Sequence, residues 1–202
     1  MNEPQGQVGS MRAEVFRETG ETRIRVEIAI KGKGHCEVQT GLGPADHMLT
    51  LLGFWAGWDL SIEAEGDLQV DAHHTLEDIG LTLGEALRSA LGDKAAIARV
   101  GWAKVPMDEA LCEVIVDVSG RPYLVYNDRA VPEVLFGEEK DLWREFFKSL
   151  AFKAGMNLHM DFVYGLNGHH LMESAFKGLG LCLKQALSLQ NQGVFSTKGS
   201  LD

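Results

Sequence analysis

Two histidine pairs carry most of the chemistry that this 202-residue chain could do. One lies in VDAHHTLED, residues 70–78, and the other in NGHHLMES, residues 167–174. The pairs take four of the seven histidines, and a glutamate follows each: Glu77 after His73 and His74, Glu173 after His169 and His170. On a helix, residues four apart share a face, while neighbours point about 100° apart. His73 and Glu77 can therefore grip one ion together, while His74 faces a different one. The same holds for His169 with Glu173, and for His170. Two ions complete the pattern, one held by His73, Glu77 and His170, the other by His169, Glu173 and His74. The spacing leaves open whether these donors meet within one chain or between copies of it. No cysteine stands in the set, which argues against a thiolate-type structural zinc site. Mixed imidazole and carboxylate donors suit Mn, Fe, Co or Zn, and the carboxylates move the preference toward Mn.

The elements that must position these residues can be read from periodicity. AEVFRET and TRIRVEIAI alternate apolar and polar residues around TGE and predict a hairpin, with HCEVQTG as a third strand. PADHMLTLLGFWAG has helical periodicity, WDLSIEAEG alternates again, and HHTLEDIGLTLGEALRSALG is a helix that Gly92 can stop. The second half runs in the same order: ARVGWAKVPM, ALCEVIVDVSG and RPYLVYN as strands, KDLWREFFKSLAFKAG as helix, NLHMDFVYG as strand, HHLMESAFKGLGLCLKQAL as helix.

This is an internal duplication. An offset of 96 carries His73, His74, Glu77, Gly84 and Leu87 onto His169, His170, Glu173, Gly180 and Leu183. An offset of 98 carries Gly57 and Leu60 onto Gly155 and Leu158, and His47 onto Glu145, which makes His47 and Glu145 the obvious extra ligands. A weaker offset of 88 sets Glu21 against Glu109. A repeat kept only for packing would preserve the apolar stripe and let HHxxE drift. The pattern divides the chain into a flexible tail over 1–10, repeats over 11–95 and 96–190, and a second tail over 191–202.

Composition excludes other classes. A net charge of −10 argues against binding nucleic acid, which draws on clustered Lys and Arg. No apolar run reaches the ~20 residues of a membrane span. Cys36, Cys112 and Cys182 form an odd set without CxxC spacing, as suits reduced thiols in a cytoplasm.

At these residues the chain resembles the imidazoleglycerol-phosphate dehydratase family of histidine biosynthesis. The shared motifs are ETRIRV, DHML, GDLQVDAHHTLEDIGLTLGEAL, LGDK, PMDEAL, DVSGRPYL, HHLMESAFK and STKG, in order from about Met11 to Leu201. The resemblance implies an internally duplicated α+β subunit with two four-stranded sheets flanking a layer of four helices. It implies a shell of twenty-four copies with manganese sites between neighbours, two ions per active site. The family's ligand positions fall on His47, His73, His74, Glu77, Glu145, His169, His170 and Glu173. Its phosphate and substrate contacts fall on Arg99, Arg121, Lys177, Ser196, Thr197 and Lys198, in part on a C-terminal tail that the resemblance makes a substrate loop ordered on binding. Glu21 falls beside the reacting carbons.

The implied reaction converts imidazoleglycerol phosphate to imidazole acetol phosphate plus water. Ions on the ring nitrogens favour an imidazolate, which expels the adjacent hydroxyl to give a diazafulvene-like intermediate. The next C–H is then acidic, and a carboxylate can take it. Glu21 is the first choice for that proton, while Glu77 and Glu173 place their charge on metal. Three positions depart from the family pattern: Pro44–Ala45 replace bulky apolar residues, Ala72 replaces an aspartate, and Glu145 stands where the family commonly has histidine. Ligation by Glu145 would add hard oxygen to its site and favour Mn-like ions further.

Overall fold

The computed structural model describes residues 11–94, 96–190 and 193–196. The first half contains β1 (Arg12–Glu18), β2 (Thr22–Ala29), β3 (Cys36–Gln39), α1 (Gly43–Ala56), β4 (Asp59–Gly66) and α2 (His73–Leu91). The second half contains β5 (Val100–Met107), β6 (Ala110–Asp117), β7 (Tyr123–Asn127), β8 (Val134–Leu135), β9 (Glu138–Glu139), α3 (Asp141–Ala154), β10 (Asn157–Tyr164) and α4 (Gly168–Ala186). The four-stranded sheets have equivalent orders, β1-β2-β4-β3 and β5-β6-β10-β7. Both are mixed, because β3 runs parallel to β4 and β7 parallel to β10 while the other pairs are antiparallel. Among the described residues no helix is long and apolar enough to cross a membrane.

Strand alternation decides what each sheet buries. Ile24, Val26 and Ile28 of β2, with Leu60 and Ile62 of β4, point inward, as do Val114, Val116, Leu158 and Met160 in the second sheet. The four helices pack between the sheets: α2 lies on the first sheet, α4 on the second, and they pair crosswise, α1 with α4 and α2 with α3. Gly180 permits the first pairing. A Cβ there would come within 2.9 Å of the Leu52 carbonyl oxygen and 2.8 Å of Trp55 Cβ. Gly84 permits the second, since a Cβ would meet the Leu150 carbonyl oxygen at 2.7 Å. Helices α1 and α3 both end on a glycine at positive φ, Gly57 at 72° and Gly155 at 69°, whose N–H groups close the last turn.

The outward faces have diverged. One in-register row of the first sheet reads Glu14, Glu27, Ser61, Glu37. The matching row of the second reads Trp102, Ile115, His159, Val125, with Trp102 exposed by 67%.

The ribbon of β8 and β9 falls outside the strands expected from alternation, since two-residue strands are too short for a period to show. Its turn residues Phe136 and Gly137 both have positive φ, 57° and 91°, the pattern of a type I′ hairpin. Ala72 is buried within the core cluster, so the aspartate of the family pattern is replaced by a small apolar side chain that packs.

Candidate metal centre

Both HHxx(E) helices are started by a side-chain oxygen two residues before the first histidine. Asp71 Oδ1 accepts from the His73 N–H at 2.8 Å, and Asn167 Oδ1 accepts from the His169 N–H at 2.9 Å. Asn167 is the N-cap of α4 while Asp71 stands one residue before the N-cap of α2, and each satisfies one of the orphan donors of its helix beside the histidine pair. Within each pair the rings stand nearly perpendicular: 85° for His73 and His74 with centroids 6.1 Å apart, 84° and 6.4 Å for His169 and His170. Neighbouring histidines therefore address different places, as helical geometry requires.

One convergence lies where α1 crosses α4. His47 Nε2 is 3.0 Å, and His169 Nε2 2.9 Å, from the same Oε1 of Glu173. The two imidazoles stack with centroids 5.4 Å apart. Asp46 fixes the start of α1 by accepting from the N–H and hydroxyl of Thr40, at 2.8 and 2.6 Å. Phe136, at the tip of the β8–β9 ribbon, packs edge-on against His169 with centroids 5.5 Å apart. Glu173 is buried, which pushes its carboxyl pKa up. The hydrogen bonds from Lys177, His47 and His169 outweigh that and hold it at about 2. Lys177 Nζ donates to the other carboxylate oxygen at 2.6 Å. The set His47, His169, Glu173 could hold one ion.

In the first half His73 Nε2 lies 3.7 Å from Glu77 Oε2, a looser version of the same i,i+4 pair. Glu145 is not gathered with it; its Oε2 accepts from Lys148 Nζ at 2.7 Å. A second group that could hold an ion is Glu21, Asp67, His74. There His74 Nδ1 is 3.0 Å from Asp67 Oδ2 and 3.6 Å from Glu21 Oε2. The repeat-related His170 Nδ1 lies 2.7 Å from Glu109 Oε2. The hydrogen bond to Asp67 raises the His74 pKa, and that to Glu109 raises the His170 pKa.

Among the described residues the expected sets His73–Glu77–His170 and His169–Glu173–His74 do not come together within one chain. His47 instead joins His169 and Glu173. Sequence reading missed Asp67 and Glu109 as partners of the second histidines. The only signals were the offset of 88 that pairs Glu109 with Glu21, and the presence of Asp67 in GDLQVDAHH.

Lys177 apart, the residues expected at the phosphate make other contacts within this chain. Arg99, at φ 72°, forks onto Asp117 at 2.6 and 2.9 Å, and its Nη1 donates to the Phe195 carbonyl at 3.1 Å. It thereby ties β6 to the C-terminal segment. The N–H of Arg121 faces Ser119 Oγ at 3.4 Å, and its carbonyl accepts from Asn157. Ser196 closes a short turn through its N–H on the Val194 carbonyl. Thr197 and Lys198 lie outside the described residues, as do the tail over 1–10 and most of that over 191–202.

Fold and clusters together define a duplicated α+β protein whose histidine–carboxylate groups could hold metal ions. A family model for imidazoleglycerol-phosphate dehydratase matches residues 40–183. The imidazoleglycerol-phosphate dehydratase of Solidesulfovibrio magneticus is 65% identical over 187 residues, covering 92% of this chain and 95% of that one. That of Clostridium botulinum is 48% identical, over 94% of this chain and 97% of that one. Among solved structures, the dehydratase of Pyrococcus furiosus in complex with (S)-C348 superposes with a TM-score of 0.81 at 42% identity, over 93% of this chain and all of that one. The Staphylococcus aureus dehydratase gives 0.79 at 35% identity, over 89% and 99%. This chain belongs to the imidazoleglycerol-phosphate dehydratase family.

Proposed function

We propose that this hydro-lyase of histidine biosynthesis dehydrates imidazoleglycerol phosphate with two divalent ions, Mn²⁺ by preference, held between copies of the chain, and with Glu21 as proton-transfer group. The observation that carries the proposal is the convergence of His47, His169 and Glu173 on one point. Three donors from two helices, one of them a buried carboxylate with a pKa of about 2, form a ready polydentate site for a hard or borderline cation. His73 and Glu77 supply the repeat-related grip, with Glu145 as the candidate beside it.

His74 and His170 are then the donors of neighbouring copies. Each has Nδ1 tied to a carboxylate, and among the described residues Nε2 of His74 has no partner while that of His170 has only Asp108, at 3.9 Å. Donors that cannot complete a site within their own chain support an assembly of copies, twenty-four of them by the family resemblance.

Bound metal supplies Lewis acidity toward the imidazole ring of the substrate. Glu173 and Glu77 would hold their charge on metal. Once the hydroxyl leaves, the adjacent C–H becomes acidic. The Glu21 carboxylate, 56% exposed on the β1–β2 turn, would take that proton. Arg99, Arg121, Lys177, Ser196, Thr197 and Lys198 would grip the phosphate and fix the reacting carbons relative to Glu21.

Metal-stripped protein is assayed with imidazoleglycerol phosphate, before and after reloading with Mn²⁺, for the ketone product. Ketone formation on reloading supports the proposal. Turnover without metal, or full metal occupancy without product, rejects it, and the latter leaves a metal-clamped scaffold.

A further inference from the structure

The two halves hold their second histidines with carboxylates from different positions. In the second half the partner of His170 is Glu109, on the β5–β6 turn. Both of its oxygens are committed: Oε1 accepts from the Leu166 and Asn167 N–H groups at 3.1 and 2.8 Å, and Oε2 faces His170 Nδ1 at 2.7 Å. The residue 88 positions earlier is Glu21, on the equivalent β1–β2 turn. It does not repeat the job, because Asp67 has taken the Nδ1 of His74 at 3.0 Å and left Glu21 Oε2 at 3.6 Å.

The second half cannot use the same arrangement. The counterpart of Asp67 there is Leu166, because the bulge between Phe162 and Tyr164 moves the register by one residue and sets Gly165 against Gly66. A Cβ at Gly66 would meet Thr75 and one at Gly165 would meet Leu171, the repeat-related contact, while Leu166 carries an apolar side chain that cannot accept a hydrogen bond from His170. Among the described residues the other oxygen of Asp67, Oδ1, is buried without a hydrogen-bond partner.

We propose that Asp67 and Glu109 are positioning residues that set the tautomer of His74 and His170, presenting Nε2 to metal. By taking over that task in the first half, Asp67 frees Glu21 for proton transfer. A histidine that donates Nδ1–H to a carboxylate keeps its lone pair on Nε2 and becomes a stronger donor to metal. Duplicated glutamates thus do different work, Glu109 as an orienting group and Glu21 as a mobile acid–base. The inference rests on the roles of metal and Glu21 given above.

The test uses the full chain, stripped of metal, with Asp67→Asn, Glu109→Gln and Glu21→Gln. Mn²⁺ affinity is read from the free-ion electron paramagnetic resonance signal, the visible spectrum from Co²⁺-loaded protein, and turnover in parallel. Asp67→Asn and Glu109→Gln should each weaken metal binding about 10–100-fold and shift the Co²⁺ bands. Asp67→Glu, which keeps a carboxylate within reach, should restore affinity toward wild type. Glu21→Gln should leave affinity and spectrum unchanged and lower kcat by about 10²–10⁴-fold. Wild-type affinity in Asp67→Asn, or an equal loss of affinity in Glu21→Gln, overturns the assignment. Failure of the Glu21 reading looks different: Glu21→Gln then turns over normally while Asp67→Asn still loses metal. That result ends the division of labour and keeps the positioning role.

Discussion

His47 and Glu173 stand 126 residues apart in sequence, yet Nε2 of the one lies 3.0 Å from Oε1 of the other. The contact joins the first half to the second and gathers three donors at one point. Replacing His47 by Ala should therefore remove metal without unfolding the chain. Its side chain is 45% exposed, and an ion pair at such a site contributes only about 0–1 kcal/mol to stability. Metal affinity should fall by at least the roughly 10–100-fold seen when a supporting partner is lost. Metal content by mass spectrometry and thermal melting of the metal-free protein check both halves of the statement.

Gly180 sets the distance at which α4 meets α1, and hence the distance of His47 from His169 and Glu173. Gly180→Ala forces a methyl against the Leu52 carbonyl oxygen and Trp55. Overpacking of this kind should cost about 1–3 kcal/mol in denaturant unfolding and weaken metal binding at the same time. Gly84→Ala, which spreads α2 from α3 instead, should show a similar stability loss and leave the His47 cluster intact.

The fold was open to sequence reading where periodicity is long. The eight strands of the two main sheets and all four helices fall within three residues of the expected segments, because each buries a face and shows its period. What escaped was non-periodic or non-local. The ribbon of Val134–Leu135 and Glu138–Glu139 has too few residues for a pattern, although it carries Phe136 to His169. HHxxE spacing separates the two histidines of each pair, and their perpendicular rings agree. It says nothing of which helix crosses which, so the joining of His47 with His169 needed the crosswise packing of α1 on α4. Asp67 and Glu109 act through contacts that span a turn or a sheet, and no local signal marks those.

Glu145 lies on α3, which packs against α2, in the place that His47 holds on α1. Its side chain faces Lys148 in the metal-free chain, and the proposed ligation requires it to turn to metal. Glu145→Ala should lower occupancy of the His73–Glu77 site and leave the other occupied. Glu145→His should keep both sites occupied and move preference away from Mn²⁺ toward Zn²⁺, as imidazole replaces carboxylate. Competition titrations with the two ions measure this. Unchanged occupancy of both sites in Glu145→Ala would exclude Glu145 as a ligand.

Stability of the metal-free protein should have two limbs in pH. Glu109 is held at about 2, against the usual 4.5, by His170 and then by backbone N–H groups, and Glu173 also sits at about 2. Depressed carboxylates contribute stability that is present above 4.5 and lost as pH falls toward 2. His74 and His170 are raised above 6.5, so their contribution is full below 6.5 and lost as pH rises through the raised values. The melting temperature should be highest between these limits and fall on both sides. Metal affinity should move the other way over the upper limb, rising with pH, because the imidazoles must be neutral to bind. A flat melting profile from pH 3 to 8 would contradict these assignments.

The central claim is that each ion takes donors from more than one copy of the chain. It is tested by mixing two variants, His74→Ala and Glu173→Ala, each stripped of metal and reassembled together with Mn²⁺. Each variant alone should be inactive. The mixture should regain ketone formation, because a His74→Ala chain still offers Glu173 to a neighbour that still offers His74. If every donor of a site came from one chain, each chain would remain defective and the mixture would stay as inactive as its parts.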